Sequence, residues 1–205
     1  MLAHRLFTPI FACFAFLIVI LLHSPAVATV QIVAFGDSNT AGFGVAAASK
    51  YPSRLQRDLR ARGYDVVVRN SGVNGSTSGG GLRRLSSAVP QGTDIAIVFF
   101  GRNDVRFGVS EARMRSNLST IVSRLRSRGV TVILLGFYPF NFANIAARHG
   151  AIYAGDFFAG VTVKGKKKPQ YSLGDIVPHL NAAGYSVVAN RIRPQVERAI
   201  RSRGQ

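Results

Sequence analysis

Short apolar runs alternate with amphipathic stretches along most of this chain. The first run after residue 28 spans residues 30–35 and is broken only by Gln31, and the polar turn 36–40 (GDSNT) follows it at once. A run of this kind favours a central parallel strand that is covered on both faces. Similar runs predict strands at residues 64–69, 94–100 and 130–138, and a weaker one at 151–153.

Helical periodicity fills the intervals between these runs. Apolar residues spaced three or four positions apart predict helices at residues 51–63, 110–128 and 181–203. Strands that alternate with helices of this length indicate an α/β domain with a parallel sheet and helices on both sides. The chain shows no internal repeat and no linker, so we expect a single domain.

The first 28 residues have the pattern of a secretory signal peptide. Arg5 precedes an apolar run at residues 6–22, and residues 26–28 (AVA) form a small-x-small cleavage site. We therefore predict an exported protein, periplasmic or secreted, with a signal peptide at residues 1–28 and one domain at residues 29–205. The alternative is an uncleaved membrane anchor. The single cysteine, Cys13, lies inside this segment, so we expect no disulfide in the domain.

The charge balance is strongly basic. The chain has 26 Lys and Arg residues against 9 Asp and Glu, a formal net charge of +17. For an exported protein this excess favours an anionic envelope surface as a partner rather than nucleic acid. The alternative is that most of the arginines are solvated helix surface. The one dense run, residues 164–168 (KGKKK), is predicted to be an exposed loop.

Polar clusters stand at the ends of the first three strands and before the last helix. They are Ser38, residues 70–76 (NSGVNGS), residues 101–104 (GRND), and the pair Asp175 and His179. Because the carboxyl ends of parallel strands meet at one edge of a sheet, all four clusters should open onto one crevice. Each also has a structural explanation, such as helix capping by Asp37 or Asn181.

Together the clusters supply the parts that ester hydrolysis requires. Ser38 would attack the carbonyl, His179 would accept its proton, and Asp175 would orient the imidazole. The backbone N–H groups of Ser38 and Gly72 and the side-chain amide of Asn103 would stabilise the oxyanion. The sequence therefore predicts a nucleophilic serine site.

The same four blocks, GDSN at residues 36–39, the glycine of NSGVNG, GRND and the terminal D…HLNAAGY, resemble the GDSL/SGNH hydrolase superfamily. The resemblance is greatest to its bacterial periplasmic arylesterase and thioesterase/lysophospholipase branch. It implies a three-layer α/β/α, flavodoxin-like fold and a serine esterase that uses no metal and no cofactor. It implies that Ser38 is the nucleophile, that Gly72 and Asn103 are oxyanion donors, and that His179 is the base. It gives Asp37 and Asp104 structural roles.

The chain departs from the family pattern in two catalytic blocks. Asn39 replaces the usual Leu, which we expect to be tolerated. The usual Asp-x-x-His is one residue longer here, since three residues separate Asp175 from His179. Asp175 remains the favoured orienting acid. A backbone carbonyl could take its place, and Asp156 is a more distant candidate.

A third departure concerns the acyl pocket. Compared with the enzymes it resembles, the chain has a shortened segment at residues 138–145 (YPFNFANI). This predicts a shallow site that favours short acyl groups, or acyl groups on a bulky envelope polymer. Phe140 and Phe142 would line the site or belong to the core.

The predicted function is an exported serine esterase that acts on small-molecule, lipid or polymer acyl esters or thioesters. One alternative is a carbohydrate O-acetylesterase acting on envelope polysaccharide or peptidoglycan, and another is an inactive, basic envelope-binding protein on the same fold. The glycine runs at residues 42–44 and 79–81 lack the spacing of a nucleotide site. No cluster has metal-ligand spacing.

Overall fold

The computed structural model describes residues 28–174 and 179–204. The predicted cleavable segment, except for Ala28, lies outside the described residues, and so does Asp175. A five-stranded parallel sheet has the order β2-β1-β3-β4-β5. Its strands are β1 Val30–Gly36, β2 Val66–Gly72, β3 Ile95–Phe99, β4 Thr131–Gly136 and β5 Ile152–Asp156. A small antiparallel hairpin joins β6 Thr162–Val163 to β7 Lys166–Lys167.

Two groups of helices flank the sheet. The helices are α1 Ser38–Ala41, α2 Tyr51–Arg60, α3 Ser78–Arg83, α4 Leu85–Ala88, α5 Arg102–Arg106, α6 Glu111–Ser127, α7 Ala143–Arg148 and α8 Ala182–Arg201. Helices α2 and α8 pack against each other, and α6 packs against α3 and α7. The strand order is that of flavodoxin-like folds, as predicted. Every helix in the described part of the chain is too short or too polar to cross a bilayer.

The strand pattern follows from burial. All five residues of β3 are buried, and β1 exposes only Gln31, which fits their central positions in the sheet. Strand β2 lies at the edge and alternates buried and exposed residues over its first half. The register pairs Gly36 of β1 with Gly72 of β2 and with Phe99 of β3. The carboxyl ends of these three strands therefore meet at one edge, as predicted.

Strand β2 differs from its predicted bounds. It continues to Gly72, so the first residues of the predicted loop at 70–76 are paired with β1. Pairing with β1 holds these polar residues in the strand. The prediction ended the strand earlier because it followed the run of apolar residues. The short helices α3 and α4 were also not predicted, because Gly79, Gly80 and Gly81 resemble a loop.

Some of the helix-face arginines are structural rather than merely solvated. Arg60 donates to the carbonyl of Val66 at 2.9 Å. Arg128 donates to the carbonyl oxygens of Val89 and Pro90 at 2.7 and 2.8 Å. Part of the positive charge therefore satisfies backbone carbonyls in the loops between elements.

Candidate active site

The turn between β1 and α1 presents Ser38 at the carboxyl edge of the sheet. Asp37 caps α1 by accepting the backbone N–H of Asn39 at 2.9 Å. A side chain at Gly36 would place its Cβ 2.6 Å from the carbonyl oxygen of Phe99. Only glycine allows β1 and β3 to approach this closely at the turn. The predicted capping role of Asp37 is thus compatible with a functional Ser38.

Ser38 and His179 face each other across the edge of the sheet. The Nε2 atom of His179 lies 3.0 Å from the Oγ atom of Ser38, and each residue is only 8% exposed. The backbone around His179 is fixed by a hydrogen bond from the Leu173 N–H to the His179 carbonyl. Asn181 then caps α8 by accepting the Gly184 N–H at 3.0 Å. The predicted serine–histidine pair is therefore in hydrogen-bond contact, and the predicted cap at Asn181 is also present.

The acid that would orient His179 stays a prediction. Asp175 lies outside the described residues. Asp156, the more distant candidate, ends β5 and accepts the backbone N–H of Phe158 at 2.7 Å. Its carboxylate is thus used in the turn that follows β5.

Within residues 28–174 and 179–204, Asp37 is the one acidic side chain that lines the cleft around Ser38. Its side chain is fully buried, and this desolvation raises the pKa of Asp37 to about 6. Hydrogen bonds from Asn39 oppose the rise, as do the charges of Arg102 and His179. The effect of burial on the pKa of Asp37 is therefore larger than the combined effect of these contacts.

The loop after β3 holds Asn103 in the cleft. Asn103 is 6% exposed, and its Nδ2 atom donates to the carbonyl of Ser76 at 3.1 Å. This bond uses one of the two Nδ2 hydrogens. The neighbouring Asp104 is buried and accepts both the N–H and the hydroxyl of Ser78. The loops after β2 and β3 are thus tied together, which is the structural role expected for Asp104.

Gly72 has a packing role at the end of β2. Its N–H donates to the Oδ1 atom of Asn70 at 2.9 Å. A Cβ at Gly72 would lie 2.0 Å from the backbone nitrogen of Ala41 in α1. Three residues later, Gly75 has a φ of 73° and open space around its Cα. Within residues 28–174 and 179–204 its N–H has no acceptor. Sequence reasoning did not single out Gly75, although it stands beside Ser76, to which Asn103 is bound.

Sequence reasoning also missed Arg84. Its guanidinium donates to the carbonyls of Gly36 and Ser71, at 2.8 and 2.9 Å. It also lies 4.6 Å from the ring centroid of Phe35. Arg84 therefore connects the carboxyl ends of β1 and β2 next to the Ser38 turn. Nothing in its local sequence distinguishes it from the other arginines.

Ser38, Asn103 and His179 line an open cleft of about 450 Å³. One wall is apolar and consists of Phe137, Tyr138, Pro139 and Phe140. Phe142 belongs instead to the core and is fully buried. Arg102 and Arg106 line the cleft as well. In the described ranges, no group of three His, Cys, Asp or Glu side chains could hold a metal ion.

Comparison with known proteins shows to which family the chain belongs. The sequence model of the GDSL-like Lipase/Acylhydrolase family matches residues 34–187, which contain Ser38, Asn103 and His179. The chain belongs to this family. The family and the α/β fold predicted from the four sequence blocks are thereby confirmed.

Two curated relatives are esterases by name. The chain is 34% identical over 120 residues to the esterase TesA of Pseudomonas aeruginosa, and the aligned region covers 58% of this chain and 59% of that protein. It is 33% identical over 109 residues to an arylesterase of Vibrio mimicus, which covers 53% and 54% respectively. The matched part thus spans between half and three-fifths of these relatives.

Solved structures match over more of the chain. A crystal structure of TesA superposes with a TM-score of 0.73 at 24% identity, covering 82% of this chain and 99% of that one. The SGNH-hydrolase family esterase AlinE4 gives a TM-score of 0.65 at 29% identity, covering 84% and 97%. The GDSL/SGNH hydrolase therefore has the fold of these proteins over nearly their whole length.

Proposed function

We propose that this GDSL/SGNH hydrolase is a serine esterase that hydrolyses acyl esters or thioesters in the cleft at the carboxyl edge of its sheet. The contact of 3.0 Å between His179 Nε2 and Ser38 Oγ carries the proposal. A hydroxyl at this distance from an imidazole nitrogen can lose its proton as it attacks a carbonyl carbon. The esterase names of the two curated relatives support the same activity.

The reaction proceeds through an acyl-enzyme. Ser38 Oγ attacks the ester carbonyl while His179 takes the hydroxyl proton, and the protonated imidazole then gives that proton to the leaving alcohol or thiol. Water next attacks the acyl-serine with His179 again as base, which releases the carboxylic acid and restores Ser38. Asp175 is proposed to accept a hydrogen bond from the Nδ1–H of His179, which keeps the imidazole in the required tautomer.

The negative charge on the carbonyl oxygen requires donors that are already in place. We assign this role to the backbone N–H of Ser38 and to the second Nδ2 hydrogen of Asn103. The third predicted donor is the N–H of Gly72, which donates to the Asn70 side chain. Gly72 can therefore take part only if this hydrogen bond breaks and its N–H donates to the oxyanion instead. The N–H of Gly75 needs no such exchange. Gly75 is therefore our alternative donor from the loop after β2.

Hydrolysis of 4-nitrophenyl acetate by the chain from residue 29 onward tests the proposal. We expect Ser38→Ala and His179→Ala to lower kcat by at least about a thousand-fold, and Asn103→Ala by about a hundred-fold. Ser127→Ala, which removes an exposed hydroxyl on α6, should keep the wild-type rate. A wild type no faster than Ser38→Ala on this and longer esters would favour the inactive, envelope-binding alternative.

Asp175→Ala examines the orienting acid in the same assay. A loss of about a hundred-fold or more would support the role of Asp175 in spite of the extra residue before His179. A rate close to that of the wild type would favour a backbone carbonyl as the group that orients the imidazole.

The open cleft and its short apolar wall favour one further candidate, a carbohydrate O-acetylesterase. Such an enzyme would release acetate from acetylated polysaccharide or peptidoglycan faster than from a small aryl ester. Acetate release from acetylated polymers, compared between the wild type and Ser38→Ala, distinguishes this substrate class.

Export to the envelope is part of the proposal. Arg5, the apolar run at residues 6–22 and the AVA site at residues 26–28 support cleavage after Ala28. The excess of basic residues would then favour contact with anionic envelope surfaces. N-terminal sequencing of the exported protein tests the cleavage. A first residue of Thr29 is expected, whereas an intact Met1 would indicate a retained anchor.

A further inference from the structure

The cleft beside Ser38 carries two arginines that the proposed hydrolysis does not use. Arg102 and Arg106 lie four residues apart on α5, so their side chains project from the same face of that helix, and both line the cleft. Asn103, on the same helix, lines the cleft with Ser38. The two guanidinium groups therefore belong to the site where an ester would bind.

Aromatic rings hold these arginines, but they do not neutralise them. The guanidinium carbon of Arg102 lies 5.8 Å from the ring centroid of Phe137 and 5.5 Å from that of Phe158. That of Arg106 lies 5.6 Å from the ring centroid of Phe107. Cation–π contacts of this kind restrict a guanidinium and leave its N–H donors open to an anion.

The described acidic residues that form ion pairs lie away from the cleft. In the described part of the chain, the ion pairs join Arg62, Arg193 and Arg201 to Glu197, Arg115 to Glu111, and Arg203 to Asp94. No described carboxylate forms a salt bridge with Arg102 or Arg106. Of the acidic residues that the structure describes, only Asp37 lines the cleft, and its side chain is fully buried. Among the described residues that line the cleft, the charged side chains that are at least partly exposed are therefore those of Arg102 and Arg106.

A third cationic side chain lies close to Arg102. Lys167 of β7 has its Nζ atom 5.1 Å from the centroid of the Phe158 ring that Arg102 also approaches. The β6–β7 hairpin lies at the rim of the cleft, because a Cβ at Gly165 would be 3.1 Å from the ring of Tyr138. The hairpin thus lies beside Tyr138 and Arg102, which both line the cleft.

We infer that Arg102 and Arg106 form an anion subsite, and that the preferred substrates are esters with a carboxylate or phosphate group close to the scissile bond. This inference rests on the proposed esterase function and specifies its substrate class. The anion would accept charge-assisted hydrogen bonds from the two guanidinium groups while Ser38 attacks the ester carbonyl. Carboxylate and phosphate share this chemistry, and either could be attached to the acyl or to the alcohol part of the substrate.

Matched pairs of substrates test the subsite. One pair is the 4-nitrophenyl monoester of glutarate and its neutral methyl ester, which places the charge on the acyl part. The other pair is 1-acetylglycerol 3-phosphate and 1-acetylglycerol, which places the charge on the alcohol part. The readout is the ratio of kcat/KM for the anionic substrate to that for the neutral one. This ratio isolates the effect of the charge from the intrinsic chemistry of each variant.

In at least one pair we expect the wild type to favour the anionic substrate by about ten-fold at low ionic strength. Arg102→Gln and Arg106→Gln should each lower this ratio several-fold, and the double variant should bring it close to one. Raising the salt concentration should also lower the ratio. Arg113→Gln is the matched control, because it removes the same charge from an exposed position on α6 that does not line this cleft. Its ratio should equal that of the wild type.

The outcomes separate this inference from the function on which it rests. Equal turnover of anionic and neutral esters by the wild type would overturn the anion subsite and leave the esterase intact. An equal fall of the ratio in Arg113→Gln would also overturn it, because the effect would then come from overall charge. A wild type no more active than Ser38→Ala on either neutral ester would overturn the proposed esterase itself, and the subsite with it.

Discussion

The ring of Phe43 packs against the imidazole of His179, with their centroids 4.6 Å apart and a tilt of 39°. Phe43 is 45% exposed, although it touches the proposed general base. Its backbone N–H donates to the carbonyl of Ser38 at 3.1 Å. Phe43 thus contacts both members of the Ser38–His179 pair, and we interpret it as a residue that positions the imidazole.

Phe43→Ala should therefore reduce activity more than stability. A ring contact of this kind contributes about 0.5–1.5 kcal/mol, which corresponds to a loss of about three- to ten-fold in kcat when the imidazole is less well held. The free energy of unfolding should change less, because nearly half of the side chain is already exposed in the folded protein. Steady-state kinetics and urea unfolding give the two values. Val67→Ala, at an exposed position on β2, is the control. An unchanged kcat in Phe43→Ala would contradict the positioning role.

Asp37 should make the protein less stable as the pH rises. The unfolded chain releases this proton near pH 3.8, whereas the folded protein holds it up to about pH 6, because burial raises the pKa. The folded state therefore binds more protons between these values, and the free energy of unfolding decreases as the pH rises from about 4 to about 6. A rise from 3.8 to about 6 corresponds to at most about 3 kcal/mol.

Asp37→Asn isolates this effect. Its side-chain oxygen can still accept the N–H of Asn39, and it has no proton to release in this range. The free energy of unfolding of the variant relative to the wild type should rise by up to about 3 kcal/mol between pH 4 and pH 7. Urea unfolding at several pH values gives the two curves. Parallel curves would show that Asp37 is ionised in the folded protein throughout this range.

The sequence predicted the sheet and the Ser38–His179 pair because both depend on local signals. Three short, continuous segments supply these signals: the apolar run at residues 30–35, the GDSN turn and the block around His179. In a parallel sheet the carboxyl ends of the strands lie at one edge, where the loops that follow them come together. The contact of 3.0 Å between Ser38 and His179 follows from this topology, although 141 positions separate the two residues.

The sequence could not distinguish structural from chemical roles within the blocks. Gly72 matches the family pattern. The acceptor of its N–H and its packing against Ala41 depend on how β2 and α1 lie against each other. Arg84 acts through contacts with two distant carbonyls, and many other arginines have a similar local sequence. The choice between Phe140 in the cleft and Phe142 in the core is set by the path of a loop. All of these depend on long-range packing.

Gly72→Ala should be far more damaging to stability than Gly75→Ala. The added Cβ at position 72 would overlap the backbone of Ala41, which cannot move without displacing α1, so we expect a loss of about 2–3 kcal/mol or more. At position 75 the added methyl meets nothing within 4 Å, and only the positive φ is unfavourable, for a loss of about 1 kcal/mol. Urea unfolding of both variants measures the difference. Equal losses would contradict the packing role of Gly72.

Acyl chain length should affect turnover in a way that reflects the two unlike walls of the cleft. The apolar wall from Phe137 to Phe140 is short, and Phe142, which could have extended it, lies in the core. Beyond this wall a longer chain meets water or the charged side chains of Arg102 and Arg106. Additional methylenes would then gain little of the roughly 0.8 kcal/mol that each full burial provides.

We therefore expect kcat/KM for 4-nitrophenyl esters to be highest with acetyl to butyryl groups and to be flat or lower for decanoyl. Phe140→Ala should reduce butyryl turnover about three-fold or more relative to acetyl, because Phe140 is the half-buried end of the apolar wall. Tyr64→Ala removes a partly buried aromatic ring that does not line the cleft, so it should leave this ratio unchanged. A kcat/KM that rises steadily to decanoyl would contradict the prediction, because it would require a continuous apolar channel in which the long chain is buried.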